Sequence, residues 1–530
     1  MTNAADHSQT EAGTSTGAES LLATLESNGV KVCFANPGTS EMHFVSALDR
    51  TDGVRGVLGL FEGVVTGAAD GYGRMTGEPA ATLLHLGPGL ANGLSNLHNA
   101  LRAKSPIVNV IGDHATYHRN LDAPLTSDIE GAARPFSHWV RTSGTADSLG
   151  PDAAEAVRVS REGKIASLIL PADAAWNQLD AATTTAAAAG PASTDPEVDP
   201  RAIDAAARSL SGSGSRTAIL LGPRSADAHS LAQADAIAVA TGARVLHNTA
   251  MAVIPRGASR HAATRIPYPI SQSQQLLADF DTIILVGAQL PVAFFAYPDR
   301  PSQLSRPGTR FITLTAGHRR TLEALQSLRE ELGPVPDSPA AQLQIPELPS
   351  GTITGEKLGV FLAHSIPEDA VVVDESITTG RTFFHATQHA RPHDWLTGTG
   401  GAIGYAMAAS VGAAIAAPQR PVICLESDGS GMYMPQALWT QAREQLNVTT
   451  LIFANQKYEI LRKEMSNVGV PEFGPAAEAL LDIHNPTINW VSLSVSMGVP
   501  ASRAETVEEL ARAFAAAQRT EGPCLIEVAL

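Results

Sequence analysis

The chain between residues 421 and 455 reads as strand, turn, helix, strand. Residues 421–425 are an apolar run leading into Asp428-Gly-Ser430. Residues 436–445 have helical character, and a second apolar run, 448–453, leads to Asn455. The interval from Asp428 to Asn455 is the length of one strand–helix–strand unit, which returns the chain to the same edge of a parallel sheet. Asp428 and Asn455 are therefore expected side by side at the C-terminal ends of neighbouring strands. Two hard oxygen ligands beside a Gly-Ser turn that opens a helix suit a divalent cation and a diphosphate.

The same alternation recurs along the chain. Apolar runs at 31–35, 81–85 and 107–111 form a first group, those at 217–221, 282–286 and 311–314 a second. Runs at 370–373, 422–425, 450–453 and 524–528 form a third. Strands alternating with amphipathic helices give an α/β chain of three doubly wound parallel-sheet domains. Two stretches separate the groups. Residues 181–200 are rich in Ala and Thr, and 334–355 are rich in Pro. The expected domains are 18–180, 201–333 and 356–530. Residues 1–17, polar and small, read as a disordered tail. The 530-residue length suits three domains.

A net charge of −16 disfavours nucleic acid and anionic membrane as partners. No apolar run reaches membrane-spanning length, and the N-terminus lacks a basic-then-apolar signal pattern. Cys33, Cys424 and Cys524 lie far apart in or beside apolar runs and read as buried free thiols. These features fit a cytoplasmic enzyme with a small-molecule substrate.

Several polar residues stand where strands should end. Thr39 follows the first strand in Phe34-Ala-Asn-Pro-Gly-Thr-Ser40, where Pro and Gly make a tight turn. Glu62 precedes a small-residue helix and has apolar neighbours, which make a carboxyl costly to ionise. His85 ends a third run, before a turn at Gly87-Pro-Gly89. Ser376 and Thr378 follow another strand and offer hydroxyls beside helix-start amides. The pair His114 and His118 has helical spacing but no further ligands, so it does not read as a metal site.

These motifs resemble those of the thiamine-diphosphate-dependent 2-oxo acid enzymes. The residues Ser427-Asp-Gly-Ser430 and Ala454-Asn455 resemble that family's Gly-Asp-Gly-Ser and Asn-Asn pair. Glu62 followed by Ala69-Asp-Gly-Tyr-Gly-Arg74 resembles its pyrimidine-binding domain. The resemblance implies pyrimidine-binding, central and diphosphate-binding domains in that order. It implies Mg²⁺ held by Asp428, Asn455 and the Lys457 carbonyl. Gly429, Ser430, Tyr458, Ser376 and Thr378 would face the diphosphate. The Gly401 carbonyl would accept from the cofactor's amino group, and Ile403 would wedge between its rings. Glu62 would share a proton with the aminopyrimidine, a task for which Asp is a methylene short and Gln cannot exchange the proton.

Within the family the chain resembles acetolactate synthase large subunits, with pocket residues closer to benzoylformate decarboxylase. That implies Thr39 at the substrate carboxylate, His85 in proton transfer, and Asn92, Leu461 and Glu464 along the substrate pocket. Residues 121–128 lack the synthase Gln-Glu pair, and Phe294, Phe295 or Tyr297 stands where the decarboxylase has its second His. Glu464 occupies a position that is commonly apolar or aromatic. The activity implied is C–C cleavage or formation at a 2-oxo acid. By analogy a homodimer is the minimum active unit and a homotetramer the expected assembly. FAD is not predicted. The alternatives are a true acetolactate synthase catalytic subunit with FAD, and a non-catalytic thiamine-diphosphate-binding regulator.

Overall fold

The apolar runs become the strands of three sheets in a computed structural model that describes residues 15–193, 195–470 and 472–530. Most of residues 1–17, read as a tail, lies outside the described residues. Its end does not: Thr16 caps the helix Gly17–Ser27 through a reciprocal capping box with Glu19. The described chain forms two compact units.

The first unit spans residues up to 58, 78–94 and 106–192. It holds six parallel strands in the order Arg55–Leu58, Val32–Asn36, Ala80–Leu84, Ile107–Asp113, Ile165–Pro171 and Trp139–Thr142. The chain leaves Val32–Asn36 toward one side and crosses back to Ala80–Leu84 on the other. That reversal makes a crevice at the C-terminal ends of these two strands. The expected turn at Gly87-Pro-Gly89 is instead the first turn of the helix Leu86–Ala103, which opens with Leu86 at φ 46°. Pro fits there because first-turn amides need no helical partner.

The second unit spans 59–77, 95–105 and 193–530 and holds two sheets. One has five parallel strands: Thr264–Arg265, Arg244–His247, Thr217–Leu221, Thr282–Val286 and Arg310–Thr315. The other has seven: Ala501–Ala504, Cys524–Ala529, Val448–Ala454, Val422–Ser427, Ala370–Glu375, His393–Thr397 and Ile254–Arg256. Six of these run parallel. The seventh, Ile254–Arg256, comes from the middle segment and adds antiparallel to His393–Thr397. The three parallel-sheet α/β architecture is as expected, with this one antiparallel edge strand added to it. The switch point lies between Ala370–Glu375 and Val422–Ser427, paired as Glu375↔Glu426.

The helix Glu62–Thr76 belongs to this second unit and packs on Tyr405–Ala416. Their backbones touch. A Cβ on Gly71 would stand 2.1 Å from the Ala409 carbonyl oxygen, and one on Gly412 1.8 Å from that of Ala68. Asp70 and Arg74 sit one turn apart and form a fully buried bidentate pair at 2.9 and 2.7 Å. Arg74 also donates to the Thr397 carbonyl and Thr399 Oγ1, at 2.7 and 3.0 Å. The Ala-Asp-Gly-Tyr-Gly-Arg motif thus ties its helix to the loop carrying Gly401 and Ile403. Arg74→Met leaves the Asp70 carboxylate buried without its cation. It is expected to cost about 3–5 kcal/mol, read as a fall in urea midpoint at constant slope.

Candidate functional site

Asp428 and Asn455 stand at the ends of the neighbouring strands Val422–Ser427 and Val448–Ala454, whose register pairs Ser427 with Phe453. The expected Asp-Gly-Ser turn is a one-turn helix, Asp428–Gly431. Asp428 is buried and accepts from the Gly429 amide at 2.9 Å and the Gln456 amide at 2.6 Å. Burial pushes its carboxyl up to about 6. A cation beside it would relieve that penalty. Asn455 Oδ1 accepts from the Lys457 amide at 3.1 Å. Asn455 and Lys457 line a shallow cavity with Thr378 and Thr379. A Cβ on Gly429 would meet the Tyr458 ring at 2.6 Å, so Gly lets the ring close over the turn.

A second cavity, of about 460 Å³, adjoins these loops and is lined by Ser376, Gly401 and Ile403. Gly401 adopts φ 77°, and a Cβ added there would meet nothing within 4 Å. The backbone is therefore open to a close-lying group. This donor set fits thiamine diphosphate with a hard cation: one carboxylate, an amide oxygen, hydroxyls, and backbone exposed at a glycine.

Behind the loops, sequence reasoning missed a pair of acids, Glu375 and Glu426, the last and the penultimate residues of the two switch-point strands. Burial raises both carboxyls, and the charge of Glu375 raises Glu426 further. Glu375 accepts from the Ala406 amide at 2.9 Å, and Ser430 Oγ donates to Glu426. The signal was present as two apolar strands, each with Glu at or next to its end.

The wall facing these loops carries Tyr268, Phe294 and Phe295. Glu464 does not face open solvent. It accepts from Tyr297 Oη at 2.5 Å and from Tyr268 Oη at 3.4 Å. Burial, then the bond to Glu464, raises the Tyr297 hydroxyl. Leu461 is exposed, and its neighbour Ile460 takes the place on the cavity wall. Glu62, the first residue of its helix, is 7% exposed. The start of that helix is anchored by Asn96, whose Nδ2 donates to the Gly63 carbonyl at 2.9 Å. Glu62 is not part of the wall formed by Ser376, Gly401 and Ile403.

In the first unit, Thr39 and His85 sit at the switch-point ends of Val32–Asn36 and Ala80–Leu84, whose register pairs Asn36 with Leu84. Thr39 and Asn92 are exposed and His85 is part-buried. A residue that sequence reasoning passed over completes this cluster. Glu41 is fully buried, and its Oε2 lies 2.8 Å from His85 Nδ1. The same carboxylate accepts from the Gly38 amide at 2.7 Å and from Ser40 Oγ at 2.5 Å. A Cβ on Gly112 would overlap Glu41 Oε1, so Gly112 makes room for it. The sequence signal is an acid two residues past Thr39 in a turn that leads into an apolar helix.

Residues 15–133 match the family described as thiamine pyrophosphate enzyme, N-terminal TPP binding domain, and 378–528 its C-terminal TPP binding domain. A Mycobacterium tuberculosis protein named "Putative acetolactate synthase large subunit IlvX" is 48% identical over 514 residues, covering 97% of this chain and 98% of that one. Benzoylformate decarboxylase of Pseudomonas aeruginosa is 29% identical over 535 residues, covering 95% and 97%. Among solved structures, the thiamine diphosphate-dependent 4-hydroxybenzoylformate decarboxylase of Rhodococcus jostii RHA1 superposes with a TM-score of 0.80. It is 24% identical and the match covers 97% and 98% of the two chains, which speaks for the fold.

Proposed function

Because the chain belongs to the thiamine pyrophosphate enzymes, of the acetolactate synthase and benzoylformate decarboxylase type, we propose that it decarboxylates a 2-oxo acid without oxidation. In this reading it uses thiamine diphosphate and Mg²⁺. When bound, the cofactor supplies the electron sink for the carbon that loses CO₂. The protein's own residues bind, orient and move protons. Asp428, Asn455 and the Lys457 carbonyl hold Mg²⁺. Ser376, Thr378, Gly429, Ser430 and Tyr458 serve the diphosphate. The Gly401 carbonyl and Ile403 fix the ring system, and Glu62 shares a proton with a ring nitrogen. In this reading Glu62 of one copy completes the cavity of a second, so a dimer is the smallest active unit.

The pairing of the part-buried His85 with the buried Glu41 carries the reading. A carboxylate that accepts from Nδ1 fixes the imidazole and leaves Nε2 to give or take a proton. Thr39 beside it is positioned for the substrate carboxylate, and Asn92 extends the polar wall. Within the second unit, the cavity wall of Tyr268, Phe294, Phe295 and Ile460 supports a substrate with an apolar body. No His is among the described residues of that wall, and in this reading His85 alone handles the proton at the product carbon.

The test is product analysis with thiamine diphosphate and Mg²⁺ on pyruvate, 2-oxobutyrate, benzoylformate and phenylpyruvate. Aldehyde in step with CO₂ supports protonation by His85. A 2-hydroxyketone as the sole product would replace decarboxylation by ligation. Glu41 acts through His85 as a positioning residue. Glu41→Ala is expected to lower kcat about 10²-fold with KM and cofactor binding little changed, and Glu41→Asp to restore part of it. A variant that loses KM and kcat together would mark Glu41 as structural.

A further inference from the structure

Although the chain is acidic overall, its second unit contains a cavity of about 470 Å³ with a cationic wall. Arg256, Arg260, Arg265, Arg381, His261 and His385 line it, with no Asp or Glu among the described lining residues. Arg256 is 7% exposed. It donates to the Phe384 carbonyl, but its Nε has no hydrogen-bond partner among the described residues, and neither has Arg260 Nε. Arg265 donates to the Thr249 carbonyl at 2.6 Å. No described carboxylate forms an ion pair with any of the four guanidinium groups. Two other arginines of the same unit, Arg74 and Arg420, are matched with carboxylates, Asp70 and Asp394, each at 2.7 Å. Burial, and for Arg256 also the repulsion of Arg265, lowers the pKa of both groups, and the charge of Asp374 opposes that shift.

The wall is held in place by its backbone. Arg256 ends an edge strand in register with His393. Gly257 turns at φ 89°, where a Cβ would stand 2.5 Å from the Arg391 carbonyl oxygen. The Ala258 amide donates to the Ala390 carbonyl at 2.8 Å. The Ser259 amide donates to the Ala341 carbonyl at 2.8 Å, and the Ala341 amide donates to the Arg260 carbonyl at 2.9 Å. Arg256 and Arg260 are thus carried on a pinned loop; Arg256 and Arg265 stack on the Phe384 ring, and no described carboxylate is in ion-pair contact with the guanidinium cluster.

We propose that this cavity binds a small phosphorylated ligand carrying two or more negative charges. A guanidinium fork matches phosphate oxygens bidentately. Phosphate offers three terminal oxygens to several forks, whereas a carboxylate offers two. The cavity is of small-molecule size. His261 is already engaged, with Nδ1 2.8 Å from Asp235, so the arginines supply the charge.

The test uses the full-length protein loaded with saturating thiamine diphosphate and Mg²⁺. Inorganic pyrophosphate is titrated by calorimetry, with citrate as a carboxylate control and bound thiamine diphosphate assayed after each titration. The expected result is one saturable pyrophosphate per chain with the cofactor retained. Affinity is expected to fall at least tenfold in Arg256→Gln and in Arg260→Gln, with citrate much weaker. Should Arg256→Gln not fold, Arg260→Gln, on the half-buried side of the wall, decides alone. Absence of saturable binding overturns the proposal, as do unchanged affinity in the variants and release of the cofactor by pyrophosphate. Equal binding of citrate overturns the phosphate class.

Discussion

Glu62→Gln is expected to reduce turnover about 10²–10⁴-fold, the range of a lost acid–base group, while leaving thiamine diphosphate bound. The substitution keeps the size and hydrogen-bonding reach of the side chain at the buried start of the helix Glu62–Thr76. It removes only the exchangeable proton. Cofactor affinity rests mainly on the loops at the other switch point, so it is expected to change little. The check is kcat beside a thiamine diphosphate binding isotherm. A variant that loses binding in proportion to activity would show that Glu62 holds the cofactor rather than activating it.

The second large effect lies at Asp428. Asp428→Ala removes the one carboxylate in the proposed Mg²⁺ set and leaves Asn455 and a backbone carbonyl. Changes merely adjoining a metal's ligands cost 10–100-fold in affinity, so loss of the ligand itself is expected to cost at least about 100-fold. The Asp428 carboxyl, raised to about 6 by burial, also sets a pH dependence. The cation needs the ionised form. Mg²⁺ affinity is therefore expected to be flat above pH 6 and to fall about tenfold per unit below it. Titrations of Mg²⁺ at pH 5 and 7.5 in wild type and variant check both statements. A pH-independent affinity would remove Asp428 from the ligand set.

What was legible in the sequence was what repeats locally. The Asp428–Asn455 interval matched one strand–helix–strand unit, and the central strands 217–221 and 282–286 fell where the apolar runs lie. Edge strands were harder to see. Arg55–Leu58 has two exposed residues of four and little apolar signal. Ile254–Arg256 is three residues long and joins a sheet built mainly from residues more than a hundred positions later. No local pattern encodes such a partner.

The site shows the same division. Residues at strand ends, Thr39, His85, Asp428 and Asn455, could be placed by counting. Side-chain partnerships across elements could not. Glu41 meets His85, Glu375 meets Glu426 and Glu464 meets Tyr297 through tertiary packing. Each joins an acid to a group distant in sequence. From sequence, Glu464 stood as an unexplained charge. In the structure its carboxylate is shared by two tyrosine hydroxyls.

The most direct measurement is CO₂ release from the four 2-oxo acids by protein stripped of cofactor, before and after adding thiamine diphosphate and Mg²⁺. The expected result is release from at least one acid that appears only with both additions and saturates with each. Release that is equal without thiamine diphosphate would contradict a cofactor-dependent 2-oxo acid decarboxylase, as would none from any acid by protein shown to hold the cofactor.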